Sequence, residues 1–402
     1  MGFDAAATRA EFPLLARSGL HYLDSGATSQ LPQAVLDAVI AFETTSRANV
    51  LRSVHRLAEA ATDAYEGARG DVARYLNVAT DEVIFTSGTT AAINLVARSF
   101  GDTLQPGDEI VVSLIEHHAN FVPWQMLRDR RGIVLKPVPI TVDGRLDLTA
   151  LGRMVTPRCR LIALTHASNV TGAVTEVAPV VAAARAAGAR VLLDGAQRLP
   201  HGPLDLAALG VDFYAFSGHK MFAPTGIGVL WARRELLDAM PPLLGGGEMI
   251  RTVTLERTIW ADVPHKFEAG TPPITQAVGL GAAVRFLSAL DWTAVSAHEM
   301  RLTQRLLDGL GRLRGARVIG PTGLQGRIPV VSFDIEGTHP HDICQILDGF
   351  GVALRGGHHC AQPLMDHLGL AGTTRASLAL YNNDADIDAL LSGLDQAAAR
   401  LR

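Results

Sequence analysis

The chain has 402 residues, of which 48% are hydrophobic and 19% charged, and its formal net charge is −4. This length predicts two or three domains, or one large α/β domain with an appendage, and the composition argues against a disordered protein. Acidic and basic residues are interspersed, so no nucleic-acid-binding or polybasic membrane surface is expected.

Three cysteines, Cys159, Cys344 and Cys360, are too few and too scattered for a disulfide framework, which favours a reducing cytoplasm. Residues 1–19 include acidic side chains and only a short apolar stretch, so they predict neither a signal peptide nor a transmembrane span. The Met-Gly start lacks the Ser or Thr at position 6 that myristoylation requires, since Ala6 stands there. We therefore expect a cytoplasmic protein that binds no membrane.

Along the chain, the first 80 residues predict helices at 4–17, 33–44 and 58–76. Strand and helix patterns then alternate. The predicted strands are 82–86, 109–114, 134–138, 161–166, 190–194, 213–216 and 228–231, and the predicted helices between them are 90–99, 123–130, 148–154, 177–187 and 204–209. This alternation predicts a parallel sheet that is covered on both faces.

Beyond residue 240 the pattern changes. Two long helices are predicted at 275–289 and 292–313, followed by short strands at 318–319, 330–333 and 352–354 and helices at 341–349 and 385–401. This mixture predicts a smaller α+β domain. We expect a large α/β domain over 22–290 and a small domain made of 1–21 plus 291–402.

The first polar strand end is Thr86-Ser87-Gly88-Thr89-Thr90, which follows a strand and opens a helix. Backbone N–H groups and hydroxyls at a helix N-terminus form an anion site, here of a size for a phosphate. The segment is neither a Walker A motif nor G-x-G-x-x-G, so nucleotide binding is not favoured. The alternative is an ordinary capped helix start.

Further polar residues follow the next strands. His117 and His118 lie where open α/β sheets bind ligands, although two polar loop histidines would also explain them. Asn169 is a candidate amide donor after the strand at 161–166. Asp194 ends a hydrophobic strand and needs a cationic partner there, such as a protonated pyridine nitrogen.

Lys220 follows the apolar strand 213–216 in the segment Ser217-Gly218-His219-Lys220. Burying an unpaired lysine is costly or lowers its pKa, which suits a Schiff base with a carbonyl cofactor. The alternative is a solvated strand-end lysine. An anion cradle, an acid for a ring nitrogen and a lysine for an aldehyde, all on one sheet edge, together predict pyridoxal 5′-phosphate (PLP).

Cys360 stands in a Gly-rich loop behind His358 and His359 and near Arg355. Cationic neighbours and an accessible loop are the setting of a reactive thiolate, whereas Cys159 and Cys344 lie in apolar patterns and are expected to pack. A metal site at 358–360 is disfavoured because adjacent residues rarely converge on one ion.

Arg375 is a candidate clamp for a substrate carboxylate, because its planar fork suits bidentate pairing. The alternative is a surface arginine.

Residues 22–380 resemble the class V aminotransferase-fold PLP enzymes, and specifically the group II cysteine desulfurases of the Suf iron–sulfur pathway. The short loop around Cys360 matches group II, since group I enzymes carry their cysteine in a longer loop. The resemblance implies an α/β PLP-dependent transferase of fold type I, with a large, mainly parallel seven-stranded sheet and a smaller α+β domain. The segments that carry it are YLDSGATS, TSGTTAAINLVA, EHHANFVPWQ, SNVTG, DGAQ, SGHKMFAPTGIGVL, FEAGTPP, RGGHHCAQPLM and RASLALYNN.

The resemblance also implies roles for individual residues. Lys220 would bind the cofactor as a Schiff base and later move the Cα proton, and Cys360 would accept the sulfur. The remaining cofactor contacts would be His117 stacked on the ring, Asp194 at its nitrogen, Gln197 at its phenolic oxygen, Thr89, Thr90, Ser217 and His219 on the phosphate, and Thr271 on the phosphate of the partner subunit in a homodimer. The substrate-binding residues would be Asn169, Arg375, Arg355 and His55.

One segment departs from the family pattern. Members often read NVHRGIH where this chain has Asn49-Val50-Leu51-Arg52-Ser53-Val54-His55. His55 is retained, but Leu51 and Ser53 replace a polar residue and a glycine. The departure concerns substrate entry or partner docking rather than the core chemistry.

The expected activity is conversion of L-cysteine to L-alanine, with sulfur transfer to Cys360 as a persulfide and then to a sulfur-acceptor protein of the Suf system, for iron–sulfur cluster assembly. Two alternatives remain at this point. One is a selenocysteine lyase on the same fold. The other is a non-catalytic metal- or phosphate-binding protein that uses its histidine clusters.

Overall fold

The structure is a computed structural model that describes residues 3–52 and 54–401. The predicted effect of Ser53 therefore lies outside the described residues. In these ranges the α-helices are α1 (Ala5–Ala10), α2 (Pro13–Ser18), α3 (Gln33–Thr45), α4 (Arg56–Leu76), α5 (Thr89–Ser99), α6 (Val122–Arg131), α7 (Leu148–Met154), α8 (Val177–Ala187), α9 (Leu206–Leu209), α10 (Arg234–Ala239), α11 (Ile274–Ser288), α12 (Trp292–Arg312), α13 (Pro340–Asp348), α14 (Gln362–Leu368) and α15 (Asp384–Leu401).

The strands of the same ranges are β1 (His21–Tyr22), β2 (Val83–Thr86), β3 (Glu109–Ser113), β4 (Val134–Val138), β5 (Cys159–Thr165), β6 (Arg190–Asp194), β7 (Phe213–Ser217), β8 (Gly228–Ala232), β9 (Ile250–Val253), β10 (Thr258–Trp260), β11 (Ala316–Ile319), β12 (Val330–Ile335), β13 (Val352–Ala353), β14 (Arg355–Gly357) and β15 (Thr373–Ser377). Short 3-10 turns at His118–Asn120 and Gly218–Lys220 follow β3 and β7.

A seven-stranded sheet forms the centre of the fold, in the order β2-β8-β7-β6-β5-β3-β4. Its neighbours are parallel except at β8, which runs antiparallel to both β2 and β7. The predicted large, mainly parallel seven-stranded sheet is confirmed. The parallel arrangement places the carboxyl ends of β3, β5, β6 and β7 on one edge, and the end of β2 lies on the same edge.

Both faces of this sheet are buried, except at the edge strand β4, which is partly exposed. Successive side chains of a strand point to opposite faces, so Leu192 of β6 packs with α5 and α6, whereas Leu193 packs with α4, α8 and α11. Strands covered on both sides read as nearly continuous apolar runs. This is why the sequence pattern located the inner strands of the sheet to within one or two residues.

The residues after 291 form a second, antiparallel sheet in the order β11-β12-β15-β14. Helices α12, α13 and α15 cover it, with Leu306, Leu347 and Leu390 in their shared core. The short strand β14 ends at Gly357 and leads directly into the Cys360 loop. Both β14 and β15 were missed by the sequence pattern, as were the β9–β10 hairpin and the helices α10 and α14.

The prediction of one helix over 4–17 is wrong, because α1 and α2 are separate. Pro13 disfavours a helical conformation in the residue before it, and Phe12 is accordingly extended, with φ −105° and ψ 95°. Phe12 is buried against Phe222, Phe286 and Tyr381. β1 pairs in parallel with β13. The N-terminal segment thus contacts both parts of the chain, and the proposed domain division stays a prediction.

Within the described ranges, no single helix is long and apolar enough to cross a membrane. By length and composition alone, α11 and α12 meet that requirement as a pair, with an 88° bend between them.

Candidate active site

A cavity opens at the edge of the large sheet where the strands end. Twelve of the predicted site residues line it: Thr89, Thr90, His117, Asn169, Asp194, Gln197, Ser217, His219, Lys220, Arg355, Cys360 and Arg375. Residues more than 250 positions apart in sequence thus share one site. The carboxyl-edge geometry that the sequence predicted is present in the structure.

The anion cradle lies between the start of α5 and the end of β7. The Thr89 backbone N–H donates to Ser217 Oγ at 2.8 Å, and the two hydroxyls lie 2.7 Å apart. Gly228 is adjacent, and a Cβ there would lie 2.4 Å from Gly88 Cα, so only glycine permits this approach. Hydroxyls and the positive end of α5 therefore converge on one point, as a phosphate requires.

Asp194 is the last residue of β6 and is 4% exposed. Its Oδ1 accepts a hydrogen bond from the Ala196 N–H at 3.0 Å. Burial raises the pKa of Asp194, while this N–H and the charge of Lys220 oppose the rise. A carboxyl group in this position keeps its negative charge best when a cationic donor faces it.

Lys220 ends the 3-10 turn after β7. Burial lowers its pKa to about 8, an effect that Asp194 opposes and that Arg375 and Arg355 strengthen. The amine is therefore partly neutral near neutral pH, which is the state that a nucleophile or base needs. This agrees with the lowered pKa that the sequence predicted for this lysine.

His117 accepts a hydrogen bond at Nδ1 from the Ala119 N–H at 3.0 Å, so its proton is on Nε2. Burial lowers its pKa to about 3, and the charge of Lys220 adds to the effect. His117 is consequently a neutral ring. A neutral imidazole on the cavity wall can lie against a flat ring without charge repulsion.

Glu116 is a residue that the sequence analysis quoted without assigning a role. It is buried and accepts hydrogen bonds from the Thr165 N–H at 2.9 Å, from Asn120 Nδ2 at 2.6 Å and from the Ser113 hydroxyl. Burial nevertheless raises its pKa to about 8. Glu116 joins the ends of β3 and β5 and so fixes the turn that carries His117. The feature of the sequence that could have indicated this role is a carboxyl group shortly after the end of the buried strand β3.

Arg375 of β15 is 2% exposed and is already engaged by the protein. It donates from Nη2 to Asp24 Oδ1 at 3.0 Å and from Nη1 to the Asn169 carbonyl at 3.1 Å. Within the described residues its buried Nε has no hydrogen-bond partner. Burial lowers its pKa, and Asp24 opposes this. Arg375 is thus a buried cation rather than a surface arginine, and sequence analysis missed its partner Asp24.

Two predicted amide side chains are also engaged. Gln197 Nε2 donates to the Gly26 carbonyl at 2.8 Å, and Asn169 Nδ2 donates to the His359 carbonyl at 2.6 Å. The Asn169 contact ties the end of β5 to the Cys360 loop. Asn169 therefore has a structural contact in addition to its predicted substrate contact.

The Cys360 loop has an unusual backbone. His359 and Cys360 have φ of 52° and 56°, in the left-handed region that costs a non-glycine residue about 1–3 kcal/mol. The His118 N–H donates to the Cys360 carbonyl at 2.7 Å, and His359 Nε2 contacts the Thr373 carbonyl at 2.9 Å. The conformation therefore depends on bonds from outside the loop.

The three cysteines lie in different surroundings: Cys159 is buried, Cys344 is half-buried in α13, and Cys360 is half-buried in the loop after β14. Cys360 is a partly exposed free thiol on the cavity wall. Burial raises the pKa of Cys159 to about 11 and that of Cys344 to about 12, so both are protonated packing residues. Of the cysteines, Cys360 is the one that lines this cavity.

Two predicted residues lie elsewhere. Thr271 lines separate surface cavities beside Pro272 and Pro273. His55 is the N-cap of α4, where its Nδ1 accepts from the Ala58 N–H at 3.2 Å. Their roles toward a partner subunit and a substrate stay predictions. In the part of the chain that the structure describes, no group of three or more His, Cys, Asp or Glu residues could hold a metal ion.

The donor set of the cavity fits PLP in four respects. The cradle at Thr89 and Ser217 suits its phosphate, Asp194 suits a protonated ring nitrogen, and the neutral His117 suits its ring face. The amine of Lys220, with a pKa of about 8, suits its aldehyde.

Comparison with known proteins gives the following similarities. Residues 21–390 match the family Aminotransferase class-V. A probable cysteine desulfurase 2 of Mycobacterium leprae is 50% identical over 405 residues, covering 98% of this chain and 96% of that protein. The crystal structure of the Escherichia coli cysteine desulfurase CsdA, in an S-sulfonic acid form, is 42% identical, with a TM-score of 0.93 and full coverage of both chains.

A more distant structure shows a bound cofactor. It is a lysine-to-alanine mutant of C-DES with glycine covalently linked to the PLP cofactor, 25% identical with a TM-score of 0.83. The similarity covers 96% of this chain and 98% of that one.

Proposed function

The chain belongs to the aminotransferase class-V family and is a cysteine desulfurase, and we propose that Cys360 accepts the sulfur of L-cysteine as a persulfide. The observation that carries this proposal is the accessible Cys360 thiol on the same cavity as Lys220 and Arg375. A thiol, an amine and a guanidinium group around one cavity match the three parts of the substrate that must be handled: its sulfur, its Cα proton and its carboxylate.

PLP is the cofactor, and when bound it supplies an aldehyde for an amine and a ring that stores the electron pair left by Cα deprotonation. We assign Lys220 to the aldehyde and Asp194 to the ring nitrogen. The other residues that would hold it are His117 at the ring face, Gln197 at the phenolic oxygen, and Thr89, Thr90, Ser217 and His219 at the phosphate.

Arg375 would bind the substrate carboxylate. Its bonds to Asp24 and to the Asn169 carbonyl fix the plane of the guanidinium, while Nε has no protein partner among the described residues. A guanidinium held by fixed partners loses little entropy when it binds an anion. Arg355, at the start of β14, lines the same cavity and adds positive charge, and Asn169 contributes an amide.

The side chains then divide the reaction. The neutral amine of Lys220 takes the proton from the substrate Cα. The Cys360 thiolate attacks the substrate Sγ, so that an S–S bond forms, the Cβ–Sγ bond breaks and its electron pair stays with carbon. Protonation at Cβ and Cα completes L-alanine. The balance is L-cysteine plus the Cys360 thiol giving L-alanine plus the Cys360 persulfide.

The outer sulfur of the persulfide would pass to the thiol of an acceptor protein of the Suf system, which regenerates the Cys360 thiol and serves iron–sulfur cluster assembly in the cytoplasm. We further propose a homodimer in which Thr271 reaches the cofactor phosphate of the partner subunit. Two features support an interface on this side: Thr271 lies at the surface, and the β9–β10 hairpin exposes Val253, Leu255 and Trp260.

The test measures alanine release from L-cysteine by the PLP-loaded enzyme and by two matched variants. We expect Cys360→Ala to lose at least about 100-fold in rate, the scale on which removal of a nucleophile acts, while keeping the absorbance of bound PLP. Cys344→Ala, which removes a thiol that does not line the cavity, should keep the wild-type rate. A wild-type rate in Cys360→Ala would show that Cys360 is not the acceptor. If Cys360→Ala loses its activity on cysteine but keeps the wild-type rate on selenocysteine, the enzyme is instead a selenocysteine lyase.

A further inference from the structure

We propose that His118 and His358 are positioning residues that hold the Cys360 loop in its reactive geometry by accepting hydrogen bonds from its backbone N–H groups. The proposal rests on the proposed role of Cys360 as sulfur acceptor. Neither histidine has a role in the chemistry described above.

The loop needs such support because two successive non-glycine residues, His359 and Cys360, are left-handed. Backbone in this region persists only where the surroundings fix it. The bonds that surround Cys360 therefore decide where its Sγ lies.

His358 supplies one of these bonds from within the loop. Its Nδ1 accepts from the Cys360 N–H at 3.1 Å. The acceptor must be an unprotonated nitrogen, so His358 has to be neutral, with its proton on Nε2. The side chain is otherwise exposed to solvent.

His118, in the turn that follows β3, supplies two bonds on the carboxyl side of the cysteine. Its backbone N–H donates to the Cys360 carbonyl at 2.7 Å, and its Nε2 accepts from the Gln362 N–H at 3.1 Å. Gln362 is the first residue of α14, and the preceding N-cap residue is Ala361, which has no side-chain acceptor. The His118 side chain therefore caps the N-terminus of α14, although it belongs to a distant segment of the chain.

The two imidazoles are neighbours, with ring centroids 5.7 Å apart. Burial, followed by the charge of His358, lowers the pKa of His118. The titratable groups in contact with the pair are His117, whose ring centroid lies 6.3 Å from that of His118, and His359 and Cys360 of the loop. Protonation of either imidazole removes a backbone acceptor and places a positive charge beside its neighbour. Acid should therefore loosen the loop.

Hydrogen–deuterium exchange of the PLP-loaded enzyme tests the bonds directly. Because one hydrogen bond contributes about 0.5–1.5 kcal/mol, equivalent to about 2- to 13-fold in an equilibrium, we expect His358→Ala to speed exchange at the Cys360 amide by about that factor. His118→Ala should do the same at the Gln362 amide. His358→Asn and His118→Gln place an amide oxygen near the lost nitrogen and should restore protection.

His339→Ala is the matched control. His339 Nδ1 caps α13 by accepting from the His341 N–H at 3.2 Å, the same type of bond as that of His358. Its removal should leave exchange at Cys360 and Gln362 unchanged.

A second readout is the single-turnover rate of persulfide formation on Cys360 as a function of pH. The alanine variants should be slower by about 10- to 100-fold, because a misplacement on the order of 1 Å costs up to about that much, while the affinity for cysteine stays near wild type. In the wild type the rate should fall on acidification, because protonation of His118 removes the acceptor of the Gln362 N–H. In the double variant His118→Gln/His358→Asn this fall should be smaller, since amides do not titrate.

Wild-type amide exchange in both alanine variants would overturn the proposal, as would an unchanged acid limb in the double variant. Either result leaves the role of Cys360 intact. Failure of the proposed function is separate, since it would appear as a wild-type rate in Cys360→Ala whatever the amides do.

Discussion

The cavity has two walls that hold their functional side chains by different means. The strand-end wall (Thr89, His117, Asp194, Ser217, Lys220) sits on the edge of a sheet buried on both faces. The loop wall (Arg355, His359, Cys360) extends from a short strand of the second sheet, with left-handed backbone at two positions. Backbone hydrogen bonds of regular structure place the first set, and individual polar contacts place the second.

The two ways of holding side chains suit the different tasks that the proposed reaction gives to the two walls. Groups that hold a cofactor and move a proton must keep fixed positions, and strand ends in a packed sheet provide them. A sulfur acceptor must also present its product to a second protein, which a partly exposed loop allows. In the proposed function, a rigid set of strand ends thus serves the carbon chemistry and a partly exposed loop serves the sulfur transfer.

The largest effect should come from the strand-end wall. Lys220→Ala should lower alanine formation by about 100- to 10,000-fold, the usual contribution of a general acid–base group, and should abolish covalent retention of PLP. The Cys360 thiol should remain open to alkylation at the wild-type rate, because the loop wall is independent of this lysine. Lys136→Ala, which removes a lysine of β4 that pairs with Glu109 of β3, serves as the control. A loss of Cys360 alkylation in Lys220→Ala would show that the two walls are not independent.

A second prediction separates stability from chemistry. Glu268 is buried, accepts two hydrogen bonds from Arg69 at 2.7 and 2.8 Å, and also accepts the Phe85 N–H of β2. Glu268→Ala should lower the free energy of unfolding by about 3 kcal/mol, because the buried guanidinium of Arg69 loses its buried ion-pair partner and keeps only the partly exposed Glu66. Denaturant titration measures this. Asp238→Ala, which breaks an exposed pair with Arg234, should cost less than about 1 kcal/mol. Equal losses in the two variants would contradict the burial argument.

The same pair predicts an acid dependence. The charge of Arg69 and several hydrogen bonds outweigh burial and lower the pKa of Glu268 to about 2 from its ordinary 4.5. The unfolded state therefore binds more protons between these values. The stabilisation, about 3 kcal/mol, is present above pH 4.5 and is lost as pH falls toward 2. Between pH 4.5 and 2, the free energy of unfolding of Glu268→Gln should depend less steeply on pH than that of the wild type. Equal pH dependence in the two proteins would argue against the ion pair.

The smallest effect concerns the buried cation Arg375. Arg375→Lys keeps the charge but loses the planar fork, so the KM for cysteine should rise about 10- to 100-fold, as loss of a charged hydrogen bond of about 1.5–3 kcal/mol predicts. The kcat should change less, because the carboxylate is bound equally before and during the reaction. Steady-state kinetics with saturating PLP measures both. A fall in kcat with unchanged KM would assign Arg375 a different role.

The two walls also differ in how far the sequence predicts them. The strand-end wall could be predicted because each strand is a short apolar run ending in polar residues, as in Phe213–Ser217 before Lys220. The strands of the loop wall were missed. Arg355–Gly357 has no apolar alternation, and Thr373–Ser377 is buried but largely polar, so its burial depends on tertiary contacts.

Residues whose role depends on a contact with a distant side chain or backbone group could not be predicted from the sequence either. Asp24 matters because it pairs with Arg375, and His118 because its ring caps Gln362. Both pairs join positions hundreds of residues apart, and no local pattern encodes such contacts. The motif residues around them were recognisable, but their partners were not.

The most direct test of the central claim locates the sulfur. The PLP-loaded enzyme is given one equivalent of isotopically labelled L-cysteine without an acceptor, trapped with an alkylating reagent, and mapped by peptide mass spectrometry. We expect one labelled sulfur atom on Cys360 for each L-alanine formed, with Cys159 and Cys344 unlabelled. Label on either of those cysteines, or alanine formed with no sulfur on the protein, would show that Cys360 is not the sulfur acceptor.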